Sequence, residues 1–246
     1  MPIEQISLLL GRSFLRPWLR EALVTVERET DASVDLIVRT DTGGRPIDDT
    51  ENPFDADVVF AEPIPADDEF GVELPEETVQ RVADHTDVAV QNGVGILTGT
   101  ILDAPEYGVL SYHHGDIREY RGVITHFWNY LDGVEEAGVT LLQLTEELDG
   151  GRIAAERTVD LRGAVTWSEV ESRKQLAGVS LLREAVENFQ DPAFDPPTVD
   201  ESDLGRMYYS DDVTPPVIGR YLLDETLATV RDRVGNLRYL LEIYRS

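Results

Sequence analysis

Short apolar runs alternate with amphipathic stretches over the first 160 residues, and this alternation confines the chain to an α/β architecture. Ile6-Ser7-Leu8-Leu9-Leu10 and Val34-Asp35-Leu36-Ile37-Val38 read as buried strands. Between them, residues 15–29 place Trp18, Leu19, Leu23 and Val26 on one helical stripe. Val88-Ala89-Val90, Gly108-Val109-Leu110 and Val139-Thr140-Leu141-Leu142 continue the strand series, and Gly122 to Tyr130 is expected as a helix between the last two. Pro75-Glu76-Glu77 opens a further helix, with proline in the first turn and acids at its positive end. Residues 41–57, acidic and dotted with Gly and Pro, read as a surface loop. The expected fold is α/β: a Rossmann-like open, mostly parallel twisted sheet with helices on both faces.

Past residue 160 the pattern changes. Trp167 to Gln190 is one long helical pattern, residues 191–218 form a connector rich in Pro and Asp, and Leu222 to Tyr244 is helical again. The chain therefore divides into an α/β unit over 1–165 and a small, mainly helical C-terminal extension over 166–246. Three roles stay open for that extension: packing, a homodimer through the C-terminal helices, or a cover over part of a site.

A length of 246 residues supports one sizeable core, or one core with an appendage. Forty-eight acids against 21 basic residues leave a net charge of −27, a field that repels phosphate backbones. A nucleic-acid partner is not expected. Lys174 is the only lysine, all other basic residues being arginine. That acidity reads first as adaptation to concentrated salt, where the Debye length shrinks to a few ångströms and self-repulsion is screened. Cysteine is absent, which excludes disulfides, thiolate metal sites and cysteine nucleophiles. The N-terminus lacks a basic signal region and no run approaches the roughly 20 apolar residues of a membrane span. A cytoplasmic protein without membrane association is expected.

Three of the four histidines, His113, His114 and His126, lie close together in the chain. Their spacing suits neither a zinc helix nor a hairpin knuckle, so no metal is expected, and spacing alone leaves them ordinary hydrogen-bonded residues. Their neighbours say more. Ser111-Tyr112-His113 stands just past the strand Gly108-Val109-Leu110, and in an open α/β sheet the ligand crevice lies at the carboxyl ends of the strands. Downstream, the strand of residues 138–142 leads to Leu148-Asp149-Gly150-Gly151, where paired glycines let the backbone turn tightly.

The ordered set Ser111-x-His113, Tyr120-Arg121-Gly122, Gly138-Val139-Thr140 and Leu148-Asp149-Gly150-Gly151 resembles the folate-dependent formyltransferases. That group contains the glycinamide ribonucleotide, methionyl-tRNA and amino-sugar enzymes. The resemblance implies formyl transfer from 10-formyltetrahydrofolate to the primary amine of a small molecule. It implies catalytic roles for His113, Asp149 and position 111, His113 meeting the developing oxyanion and Asp149 holding the imidazole or relaying protons. It assigns Val94, Gly95, Ile96, Leu97 and Leu148 to the pterin, and Arg12, Tyr120 and Arg121 to the acceptor, with Arg121 bracing the loop as the alternative. Phe127-Trp128 is similar to the aromatic pair of sugar-directed members.

The sequence also departs from the family. The family's asparagine is Ser111, and its Pro-Ser-Leu-Leu-Pro is His114-Gly115-Asp116-Ile117-Arg118. A serine hydroxyl is shorter and is expected to reach the oxyanion only through a water, and losing one oxyanion donor costs about 3–4 kcal/mol of transition-state stabilisation. His114 either compensates or is an exposed loop residue, and the second is the expectation; His85 is expected at the surface. Leu10-Gly11-Arg12-Ser13-Phe14-Leu15 makes a poor phosphate nest, so an amino sugar attached to a nucleotide is the expected acceptor by elimination. Hydrolysis of the same donor, and folate or nucleotide binding without catalysis, are the alternatives.

Overall fold

Twelve strands and six helices are assigned among the described residues of the computed structural model, which are 2–11, 15–40, 54–66, 71–146 and 151–245. In chain order they begin with β1 (Gln5–Leu10), α1 (Pro17–Glu29), β2 (Ser33–Arg39), β3 (Asp57–Phe60), β4 (Ile64–Pro65), β5 (Gly71–Glu73) and α2 (Glu76–His85). There follow β6 (Val88–Asn92), β7 (Ile96–Leu97), β8 (Val109–His113), β9 (Tyr120–Gly122), α3 (Thr125–Asp132), β10 (Glu136–Gln143) and β11 (Arg152–Asp160). The chain then forms α4 (Trp167–Gly178), α5 (Leu181–Gln190), β12 (Arg206–Tyr208) and α6 (Pro215–Arg245).

Seven strands form the central sheet in the order β11-β10-β8-β6-β1-β2-β3. The run from β8 to β3 is parallel throughout, whereas β10 is antiparallel to both β8 and β11. The sheet is thus mostly parallel, with a reversed strand near one edge. Period-two alternation splits the core. Ile6, Leu8 and Leu10 of β1 pack with Leu19, Leu23 and Val26 of α1 and with Leu181, Leu182, Ala185 and Val186 of α5. Leu9, Leu36, Val38, Ala89 and Val109 face the other side, against Val82 of α2 and Ile101 and Leu102 of a short 3₁₀ segment. Helices on both faces explain why β1 and β2 are nearly continuous apolar runs.

Several elements depart from expectation. The helix expected from Gly122 starts at Thr125, because Tyr120–Gly122 pairs in parallel with β12, more than eighty residues away. That pairing ties the Pro/Asp-rich connector to the segment that follows β8, as a two-stranded sheet separate from the central one. The long helix over 167–190 breaks at Val179–Ser180 into α4 and α5, just past Gly178, whose bare backbone lies against Tyr112. β3 completes the parallel series, with Val58 and Phe60 exposed; most of the expected acidic loop, residues 41–53, lies outside the described residues.

Candidate active site

The C-terminal end of β8 carries the residues of greatest chemical interest. Val109, Ser111 and His113 alternate onto the sheet face that packs on α2, and Leu110 and Tyr112 onto the α1/α5 face. Ser111 is in register with Gln91 of β6, and Gln91 Nε2 donates to Ser111 Oγ at 2.6 Å. His113 is in register with Thr140 of β10. Its Nε2 lies 2.7 Å from the carbonyl of Tyr120, and since a carbonyl only accepts, that nitrogen carries the proton. Gly115 permits the contact, because a Cβ there would stand 2.7 Å from both His113 Nε2 and the Tyr120 oxygen. Thr140 Oγ1 donates to the Gly115 carbonyl at 2.9 Å and fixes the turn from beneath. Asp149, Leu148 and Arg12, singled out in the sequence, lie outside the described residues.

The loop from β6 to β7 forms the neighbouring wall. Gly93 and Gly95 adopt φ of 78° and 111°, a region that L side chains avoid. Val94 and Leu97 are buried, while Ile96 is 40% exposed and its strand pairs in parallel with β5. Gly11 lies directly on this loop. Its amide donates to the Asn92 carbonyl, and an added Cβ would fall 2.0 Å from the Gly93 oxygen. Buried Gln91 Oε1 and Asn92 Oδ1, at the root of the loop, have no hydrogen-bond partner among the described residues.

Tyr120 and Arg121 are committed elsewhere in this structure. Tyr120 donates its hydroxyl to Asp132 Oδ2 at 2.9 Å and stacks on Tyr208, and Arg121 Nε donates to the Gly205 carbonyl at 2.9 Å. Arg121 therefore braces the connector, through a carbonyl. His114 is not the exposed loop residue expected. Its ring packs edge-on to Trp18 at 5.1 Å, and burial, aided by His126 and Lys174, lowers its pKa to about 3. His126 stacks on Trp167 and is lowered to about 4, again mainly by burial. Behind them Lys174 is wholly buried and donates to Asn129 Oδ1, and burial lowers its pKa to about 7. His85 is exposed.

Residues 65–186 match the family model described as Formyl transferase. This stretch is a formyl transferase domain. It contains Ser111, His113, the β6–β7 loop and the segment of Asp149. The methionyl-tRNA formyltransferase of Bacillus subtilis is 30% identical over 131 residues, 53% of this chain and 41% of that protein. That of Bacillus licheniformis is 32% identical over 126 residues, 51% of this chain and 40% of that protein. The chain spans about two fifths of the length of these curated relatives. Among solved structures, a phosphoribosylglycinamide formyltransferase from Anaplasma phagocytophilum superposes with a TM-score of 0.61 at 18% identity, over 85% of this chain and all of that one. A formyltetrahydrofolate deformylase from Pseudomonas syringae gives 0.63 at 18% identity, over 83% of this chain and 66% of that one. These likenesses establish the fold.

Within the formyl transferase domain, Phe127 and Trp128 are buried, and Trp128 stacks on Tyr208 of β12 at 4.5 Å. They anchor the connector. Gln91 and Lys174 escaped the sequence reading. Gln91 sits one position past an apolar run, and only its register with Ser111 makes it notable. Lys174 had a signal: the sole lysine of an arginine-based chain is not there for solubility.

Proposed function

We propose that the chain transfers a formyl group from 10-formyltetrahydrofolate to the primary amine of a small molecule. The observation that carries this reading is the placement of Ser111 and His113 on one sheet face at the C-terminal end of β8, inside the formyl transferase match. The residues present fit the donor. The pyrimidine edge of a pterin offers N–H groups, and Gln91 Oε1 and Asn92 Oδ1 are buried acceptors beside a glycine loop that admits a flat ring. Bound there, the folate supplies a formyl carbon joined to a nitrogen that can leave.

The chain's own residues then do three things. His113 exchanges the Tyr120 carbonyl for the formyl oxygen, its Nε2–H meeting the negative charge that gathers as the amine attacks. Ser111 lies on the same face as a second hydroxyl donor. Asp149, placed by the resemblance, relays the proton released by the attacking amine to the folate nitrogen as its bond to the formyl carbon breaks. Val94, Gly95, Ile96, Leu97 and Leu148 enclose the pterin. Arg12 meets the acceptor, for which an amino sugar attached to a nucleotide is the proposed class; the net charge of −27 argues against tRNA. The same acidity supports a high-salt setting.

Hydrolysis of the same donor is the second reading. The commitment of Tyr120 to Asp132 and of Arg121 to Gly205 favours it, because two of the three residues assigned to an acceptor are engaged within the protein. The two separate on products. Incubation with 10-formyltetrahydrofolate and a panel of amines, in concentrated salt, should yield formylated amine and little formate. In His113→Ala the turnover should fall at least about 100-fold. Formate release that no amine diverts selects hydrolysis, and a His113→Ala protein of full activity removes His113 from the chemistry.

A further inference from the structure

The formyl-transfer reading leaves one chemical gap: position 111 holds a serine where the family motif that the sequence resembles has an asparagine. The structure puts a carboxamide within reach of that gap from another strand. Gln91 and Ser111 are register partners in the parallel β6–β8 pair, so their side chains leave the same face side by side. Gln91 Nε2 stands 2.6 Å from Ser111 Oγ. His113 lies two residues further along that face. Gln91 Oε1 is buried and has no partner among the described residues, so this side chain is not used up in structural hydrogen bonding.

We infer that Gln91 is a positioning residue for catalysis: its amide holds Ser111 so that the serine proton, rather than a direct asparagine amide, is delivered to the formyl oxygen. The chemistry follows from the donor and acceptor inventory. An amide N–H can only donate, so it occupies a lone pair of Ser111 Oγ and turns the serine into a donor. Hydrogen bonds in series polarise one another, which strengthens the outgoing O–H. The glutamine does not lengthen the serine; it fixes Oγ in place and leaves the hydroxyl proton free for the formyl oxygen, directly or through one water. No proton is lost from Gln91 or Ser111 in this arrangement; both act by hydrogen bonding alone. The inference rests on the formyl-transfer reading, and its test separates the two.

The measurement is the rate of formyl loss from 10-formyltetrahydrofolate at saturating donor, with the amine that gives the fastest turnover or with water alone. Gln91→Leu and Ser111→Ala should each lower this rate on the order of 100-fold. The KM for the donor should change much less in Ser111→Ala, which leaves the Gln91 Oε1 acceptor for the pterin in place. The double variant should be no slower than the slower single, because the two residues act as one unit. Ser111→Asn installs a direct amide, and adding it to Gln91→Leu should restore at least tenfold of the lost rate. A side chain that served only to support the fold would not be rescued in this way. If Gln91→Leu fails to fold, as judged by circular dichroism, Gln91→Met keeps the length without the hydrogen bond and takes its place. A Gln91→Leu rate within about threefold of the parent, multiplicative losses in the double variant, or no rescue by an active Ser111→Asn overturns the relay. His113→Ala is run alongside. If the parent protein releases no formyl group from the donor, the formyl-transfer reading itself falls; if His113→Ala is inactive while Gln91→Leu is not, the relay alone falls.

Discussion

Lys174 shows how much a single residue can tell when composition makes it rare. A buried ammonium is costly, and burial lowers the Lys174 pKa to about 7 against the opposing pull of Glu119. The unfolded chain returns the amine to about 10.4, so between these values the unfolded state binds more protons and stability rises with pH. His114 and His126, lowered by burial to about 3 and about 4, act in the same direction at lower pH. Their contribution is complete above about 6.5 and fades as the solution is acidified towards those folded values. Denaturant midpoints measured from pH 4 to 10 at fixed high salt should therefore climb in two steps, with a slope of up to about 1.4 kcal/mol per pH unit for each group titrating. Lys174→Met should abolish the climb above pH 7 and leave the acid step in place. Equal slopes in parent and variant above pH 7 would show that the amine keeps its ordinary basicity.

Elements differ in how plainly they can be read from the chain. β1 and β2 are legible because both sheet faces are covered, which turns each into an apolar run. The motif from Ser111 to Gly122 is legible because its residue types stand at the spacings of the family it resembles. β9 and β12 are not legible: three residues each, paired across a long separation, they carry no local periodicity. The same holds for Gln91, whose meaning comes from the strand beside it, and for His114, which the α1 and α3 side chains bury. Gly11 is another such case, since its lack of a side chain serves the β6–β7 loop rather than a phosphate. Gly11→Ala forces a methyl into the Gly93 carbonyl, and overpacking of this kind costs about 1–3 kcal/mol. The variant should melt several degrees lower and bind a folate more weakly, by fluorescence titration, because the displaced backbone is the proposed pterin wall. Lowered stability with unchanged folate affinity would detach Gly11 from that wall.

The whole molecule poses a question at its C-terminus. α6 runs 31 residues, about 46 Å, and its described anchors lie near its start. Tyr221 packs among Phe127, Tyr130 and Trp167, Arg220 donates to the Leu131 carbonyl, and Glu225 accepts from the Trp167 amide. Beyond them Leu223, Leu227, Val230 and Val234 are 44–59% exposed. In the sequence this series continues to Leu237 and Leu241 at alternating steps of four and three, the heptad spacing that a partner helix satisfies. We propose a second copy of the chain as that partner, and charge favours an antiparallel pair. Within α6 the acids Asp224 and Glu225 lie near the start, whereas residues 226–246 hold four arginines and two acids, so reversed helices lay the basic half of each copy along the acidic pair of the other. Sedimentation equilibrium should return twice the 27.5 kDa protomer mass, and Leu227→Asp with Val234→Asp should return a monomer of unchanged fold. The cysteine-free chain permits a direct check of orientation. A mixture of Leu223→Cys and Leu241→Cys proteins should cross-link on oxidation, whereas Leu223→Cys alone should not. Self-linking of Leu223→Cys would mean parallel helices, and a monomer at every concentration would leave the seam to some other partner.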